Sequence, residues 1–188
     1  MTERRIDLVI GCHGAGKSTL IDTVLRPERP GVPVIDPDRI ARRKWGDDAP
    51  HRSYEAKQIA DLTRSAHIDV GREFIGELLL AKDSEIDEIE TARAAGFEVV
   101  VHAVMVPVDV AVDRVRARAA AGGLTVPESE IRRYCPEIWP LSSRAVTRAD
   151  RAVVYRNDGP HPEAIARLVA GTELPGSSWP EWSPVHPG

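Results

Sequence analysis

Eight consecutive residues, Gly11-Cys12-His13-Gly14-Ala15-Gly16-Lys17-Ser18, fill every fixed position of the pattern G-x-x-x-x-G-K-[ST]. Glycines let a backbone wrap closely round a phosphate with its N–H groups pointing inward, and a following helix N-terminus favours negative charge. Lys17 is then the residue that reaches the β and γ phosphates, and the Ser18 hydroxyl is a ligand for magnesium. Gly11 to Thr19 are therefore the candidate nucleotide-binding residues, with ATP and Mg2+ as the expected ligands. Cys12 and His13 occupy variable positions of the pattern and read as filler, not as a nucleophile or a metal ligand.

Such a loop serves kinases, GTPases and motor ATPases alike, so other residues must divide them. No NKxD-type guanine motif is found, and the apolar run Val99–Val106 ends in Pro107 where a Walker B strand would end in Asp. Asp36 and Asp38 directly follow a short β-prone segment. A carboxylate there lies on the strand edge that faces the loop, where it can accept the proton of an acceptor hydroxyl. Asp38 has a second reading, as the cap of the helix that begins near Arg39. Arg114, Arg116 and Arg118 offer positive charge for the equatorial oxygens of a transferred phosphoryl group, or else form a solvated helix face. Glu77 is a lone acid in an apolar segment, either a cleft residue that contacts substrate or a strand end facing water.

These residues need a scaffold, and the chain supplies alternating strand and helix signals. Ile6–Ile10 reads as a strand, Lys17–Leu25 as a helix, Val34-Ile35-Asp36 as a strand and Arg39–Trp45 as a short helix. Ser53 to Val70 is helical, with Ala56, Ile59 or Ala60, Thr63, Ala66 or His67 and Val70 lining one face. Phe74–Leu80 is a strand carrying Glu77, Asp83–Ala95 a helix, and Phe97–Val106 the clearest buried strand. A helix from Pro107 closes at Gly122-Gly123. Pro127–Ala149 holds one or two helices with a break near Pro136 or Pro140. Ala152–Tyr155 is a last strand and Pro162–Ala170 a last helix. The expected fold is α/β: a P-loop kinase-like parallel sheet flanked by helices, with a small helical lid region. Residues 1–171 form that domain. The tail 172–188, rich in proline and carrying Trp179 and Trp182, either docks through its tryptophans or stays loose.

Composition narrows the partners. The chain has 188 residues, 42% hydrophobic and 29% charged, which fits one domain with a real core. Its 25 Lys+Arg and 29 Asp+Glu are spread evenly, giving a formal charge of −4. No broad basic field speaks for nucleic acid, and no apolar run is long enough to span a bilayer. Two cysteines, Cys12 and Cys135, do not make a disulfide framework, so a reducing cytoplasm is the expected setting.

Taken in order, GCHGAGKSTL, VIDPDRIAR, GREFIGELLL, AAGFEVVVHAVMVP, VDRVRARAAAGGLTVPESEIRRY and ADRAVVYRND resemble the zeta-toxin family of P-loop kinases, including shorter relatives described as predicted ATPases. The resemblance covers most of the chain. It implies an ATP-dependent kinase acting on a sugar hydroxyl of a UDP-activated amino sugar such as UDP-N-acetylglucosamine, and it admits an antitoxin protein as partner. On this resemblance Lys17 and Ser18 match the phosphate and magnesium residues, and Asp38 matches the general base. Glu77 falls where the family has a substrate-binding glutamate, and Arg118 is the best match for a phosphate-contacting arginine ahead of the lid; beside these matches, Asp36 and Arg133 are candidate substrate-binding residues and Arg114, one turn before Arg118, a candidate catalytic one. The departures fall on the acceptor side: Glu77 is followed by Leu78, Leu79 and Leu80 where the family carries a threonine, and Leu124 follows the Gly-Gly pair where a polar residue is usual. The basic stretch is shortened to Ile131-Arg132-Arg133-Tyr134. A kinase for another hydroxyl, on an antibiotic or a nucleoside, stays open, as does an ATP-binding regulatory module that transfers nothing.

Overall fold

A computed structural model describes residues 4–80, 82–123 and 125–184. The Leu124 position therefore lies outside the described residues. Seven strands form one mixed sheet in the order β2-β3-β1-β4-β5-β6-β7. They are β1 (Arg4–Ile10), β2 (Val34–Ile35), β3 (Phe74–Leu78), β4 (Phe97–Met105), β5 (Arg151–Arg156), β6 (Glu163–Val169) and β7 (Thr172–Glu173). The first five run parallel, with Ile10 beside Leu78 on one side and Ala103 on the other, while β6 and β7 are antiparallel. β1 and β4 are almost wholly buried, as expected of parallel strands with helices on both faces. The exception in composition is Asp7, fully buried in β1, whose carboxylate is satisfied by Arg5, Arg29 and His102. Burial alone would raise its pKa, but the hydrogen bond and charge of His102 and the charge of Arg5 hold it below the ordinary aspartate value.

The α-helices are α1 (Lys17–Leu20), α2 (Arg26–Glu28), α3 (Pro37–Trp45), α4 (Ser53–Asp69), α5 (Asp83–Ala94), α6 (Val108–Ala120) and α7 (Glu128–Arg148), with a 3-10 helix at Gly46–His51. A π-helical turn, Ile21–Leu25, joins α1 to α2 in place of the uniform helix expected over Lys17–Leu25. Pro27 has no N–H to give the Thr23 carbonyl, and a wider turn relieves the clash between the ring and that carbonyl.

Three further expectations are corrected. The first is the break near Pro136 or Pro140: α7 runs unbroken, because both prolines lie on its exposed side while Ile131, Cys135, Ile138, Trp139, Ala145 and Val146 hold the opposite side in the core. Carbonyls freed by the prolines are left to water, and burial of the apolar side keeps the helix whole. The second is the helix expected over Pro162–Ala170, which is β6. Its residues suit a helix, but β5 presents an open ladder of N–H and C=O groups, and pairing with it satisfies both edges while burying Ile165, Ala166 and Leu168. The third is the buried stripe of α4, which is Ala56, Ala60, Arg64 and Ile68, whereas Val70 is exposed. Arg64 can go inside because Glu88 and Asp61 bind its guanidinium.

The segment after β6 stays on the domain. Thr172–Glu173 extends the sheet, Ser178 donates its backbone N–H to Ile165, and Trp179 and Trp182 pack on the core. Their indole N–H groups donate to Glu173 and Asp158. Among the described residues no helix is long and apolar enough to cross a membrane.

Candidate active site

The chain leaves the C-terminal end of β1 at Gly11, between β3 and β4. Successive connections diverge to the two sides of β1 here, which is where an open α/β sheet forms its crevice. Gly14 and Gly16 have φ of 78° and 94°, a region that other residues adopt only with strain. Space demands glycine as well. A Cβ would lie 2.4 Å from the Ala111 carbonyl oxygen at Gly14 and 2.2 Å from Asn157 Nδ2 at Gly16. The loop is thus pressed against α6 and the end of β5 and has only this shape. Asn157, buried, fixes it further by donating from Nδ2 to the Ala15 carbonyl at 2.7 Å.

Lys17 is buried and folds back over its own loop, donating to the Gly11 and Cys12 carbonyls at 2.9 and 3.2 Å. Its ammonium is 3.6 Å from Glu77 Oε1, while Ser18 Oγ donates to Glu77 Oε2 at 2.8 Å. One acid, at the inner end of β3, therefore touches both reactive groups of the loop. Burial pushes the Glu77 carboxyl up from its ordinary value, with Lys17 opposing and Asp36 and Asp38 adding.

Asp36 and Asp38 divide their roles. Asp36 is the N-cap of α3: its Oδ1 accepts from the backbone N–H groups of Asp38 and Arg39, and its Oδ2 accepts from Arg39 Nε at 3.1 Å. The capping role that sequence left open for Asp38 thus falls to Asp36, and Asp38, half-buried in the first turn, points its carboxylate to the cleft. Arg118 Nη1 stands 3.9 Å from Asp38 Oδ2. The Nε and Nη2 atoms of Arg118 are buried without a hydrogen-bond partner among the described residues. Arg114 lines the same cavity and donates to the Gly159 carbonyl at 3.3 Å.

Three cavities meet at Asp38. One of about 270 Å³ runs along the loop between Ser18, Thr19, Arg114 and Arg118. A second, of about 300 Å³, opens on the far side, towards α4 and the end of β3. They share His13, Lys17, Asp38 and Glu77. A third, of about 200 Å³, reaches the Gly122-Gly123 turn at the end of α6. Asp38 lines all three. The first fits a nucleotide phosphate on observations of its own: a glycine loop that side chains would fill, and buried guanidinium donors awaiting an acceptor. Among the described residues no cluster of three or more His, Cys, Asp or Glu is placed to hold a metal. Ser18 and Glu77 offer two oxygens, the kind of partial set that magnesium completes with water and phosphate.

Most residues expected from sequence come together here: the loop Gly11–Ser18 with Thr19, Asp36, Asp38, Glu77, Arg114 and Arg118. Arg133 does not; it is exposed on α7 with its guanidinium 4.3 Å above the Tyr134 ring. Arg116 is exposed and paired with Asp113 and Glu128. Cys12 and Cys135 are free and buried. His13, read as filler, lines two cavities, and burial with the charges of Lys17 and Arg118 lowers its pKa to about 4. Sequence reasoning missed Asn157 and also Arg42, one turn after Asp38 on α3 and on the wall of the cavity that runs along the loop. The spacing of Asp38 and Arg42 was the available signal for the latter.

A family model described as an AAA domain matches residues 7–136. Among solved structures, the AvrRxo1-ORF1:-ORF2 complex with ATP contains a chain that superposes with a TM-score of 0.72 at 14% identity, covering 92% of this chain and 60% of that one. This chain thus spans 60% of the length of that neighbour. A chain of the PezAT chromosomal toxin-antitoxin system of Streptococcus pneumoniae gives 0.64 at 15% identity, covering 89% of this chain and 72% of that one. A gluconokinase from Sinorhizobium meliloti gives 0.51 at 16%, with 84% of each chain covered. No curated protein matches the sequence at a significant level. At these identities the likeness shows the fold, which is P-loop kinase-like.

Proposed function

The chain belongs to the AAA-domain family, whose model spans the loop, Asp38, Glu77 and Arg118, and on that footing we propose that it transfers the γ-phosphate of ATP to a hydroxyl of a small molecule. The observation that carries the reading is the position of Asp38 on the walls of all three cavities, beside the Lys17–Glu77 pair. Loop amides and Lys17 hold the phosphates in the first cavity, and Arg114 and Arg118 face the equatorial oxygens of the transferred group. Asp38 takes the proton as the acceptor oxygen bonds to the γ-phosphorus and the bond from that phosphorus to the β–γ bridging oxygen breaks, releasing ADP. Ser18 and Glu77 would hold magnesium, which when bound offsets the charge of the phosphates. The AvrRxo1 and PezAT neighbours come from complexes of two proteins, and a protein partner such as an antitoxin remains part of this proposal.

The test is transfer of radiolabel from γ-labelled ATP to small molecules by the purified full chain with magnesium. Wild type should label a product, and Lys17→Ala should label none while its circular dichroism stays near wild type; its melting temperature should fall, because the buried ammonium also holds the Gly11 and Cys12 carbonyls and faces Glu77. Equal labelling by the two proteins would remove the loop from the reaction.

A further inference from the structure

The 300 Å³ cavity on the far side of Asp38 has a charge pattern that bears on what enters it. Five carboxylates line it (Asp36, Asp38, Asp61, Glu77 and Glu85) against three cations, Lys17, Lys57 and Arg64. Each of those cations is already engaged. Lys57 Nζ lies 2.6 Å from Glu85 and 3.2 Å from Asp61. Arg64, buried, donates to Glu88 at 2.7 Å and to Asp61 at 2.8 Å. Lys17 belongs to the phosphate loop on the other side.

A nucleotide sugar would bring a diphosphate, and burying that charge needs counter-charges or a set of free N–H donors. Recruiting Arg64 would take from the half-buried Glu88 the guanidinium that binds both its oxygens, and recruiting Lys57 would take a cation from the buried Glu85. ATP held along the loop adds further negative charge at the shared wall. Hydroxyl and amine hydrogens, by contrast, find acceptors in the outer edges of Asp38 and Asp61, and the face of a ring finds Pro37, Leu79 and the exposed Tyr54. We infer that the acceptor is a phosphate-free, hydroxyl-bearing ring compound, neutral or carrying amines, and not a nucleotide sugar. This rests on the phosphotransfer reading above.

The experiment divides a cellular small-molecule extract by anion exchange at neutral pH. Neutral and cationic compounds flow through, and phosphorylated compounds are retained. Each pool is incubated with the full chain, magnesium and γ-labelled ATP. Label should enter compounds of the flow-through pool at least tenfold more than those of the retained pool. Label mainly in the retained pool overturns the acceptor inference alone, whereas label in neither overturns the phosphotransfer reading and the inference with it. A second measurement tests the charge argument. UDP is titrated onto chain whose loop is filled with a non-hydrolysable ATP analogue. Wild type should show no binding up to about 1 mM, and Asp61→Asn, which releases part of the counter-charge on Lys57 and Arg64, should gain affinity at least tenfold. Micromolar UDP binding by wild type, or no gain in the variant, contradicts it.

Discussion

Arg118 Nη1 and Asp38 Oδ2 face each other across 3.9 Å, joining the two sides of the cleft: Asp38 rises from the first turn of α3 and Arg118 from the last turn of α6. The distance is long for an ion pair, and two other nitrogens of the guanidinium are buried and unpartnered among the described residues. An arginine held this way costs stability unless an anion completes it.

Removing it should therefore separate function from stability. Arg118→Ala should slow phosphoryl transfer by about two to three orders of magnitude, the usual cost of losing a donor aimed at transition-state charge, with a melting temperature equal to or above wild type. Arg116→Ala, at an exposed site with two acidic neighbours, should leave turnover within about twofold. Equal and small effects of both substitutions on kcat would return Arg118 to a solvent role.

Glu77→Gln offers a second separation. The buried carboxyl touches Lys17 and Ser18, and burial works against its charge. The amide should lower turnover by about 100-fold by weakening the hold on magnesium and Ser18, and raise the magnesium concentration needed for half-activity. Stability at neutral pH should be unchanged or improved, since a raised carboxyl pKa makes the charged form a burden there. An unchanged magnesium requirement would count against this role.

Asn157→Ala should act through the loop. It deletes the hydrogen bond to the Ala15 carbonyl and leaves that oxygen without this donor, a loss of about 1 kcal/mol or somewhat more. ATP affinity should fall with it, because the loop loses its brace, and Asn157→Asp should not restore either, having no N–H to give. Calorimetric binding together with thermal melting checks both, and unchanged ATP affinity in the alanine variant would show that the glycines hold the loop by themselves.

His13 should remain neutral through the physiological range. Burial, with Lys17 and Arg118 nearby, brings its pKa to about 4 from the ordinary histidine value of 6.5. The unfolded chain then binds a proton at higher pH than the folded one, so this contribution to stability is complete above pH 6.5 and is lost as pH falls towards 4. NMR titration of the imidazole is the check, and a midpoint between 6 and 7 in the ligand-free protein would contradict it.

How much of this was legible in the sequence depended on how local each determinant is. The loop was readable because its function lies in eight adjacent residues whose backbone geometry demands glycine. Glu77 was readable as an acid in an apolar strand, though its contacts with Lys17 and Ser18 come from β1 and β3 lying side by side. That Asp36 and not Asp38 caps α3 was not legible, since capping depends on which carboxylate the chain turns back on its own N–H groups. Asn157 was hidden because it comes from 142 residues along the chain, and only the pairing of β4 with β5 brings it to Ala15. The segment of β6 was misread for a related reason: its own preference is helical, and the open edge of β5 decides.

The account stands on Asp38 as the acceptor-side base, and one comparison tests it most directly: ATP affinity and labelled-phosphate transfer in wild type and Asp38→Asn. The asparagine keeps the shape of the side chain, and Asp36 still caps α3, so folding and ATP binding should remain within about threefold. Phosphate transfer should fall by about 100-fold or more, in line with removal of a general base. Retained transfer with retained ATP binding would contradict the account, and so would a protein that binds ATP, transfers nothing in either form, and answers ATP only by a change of shape.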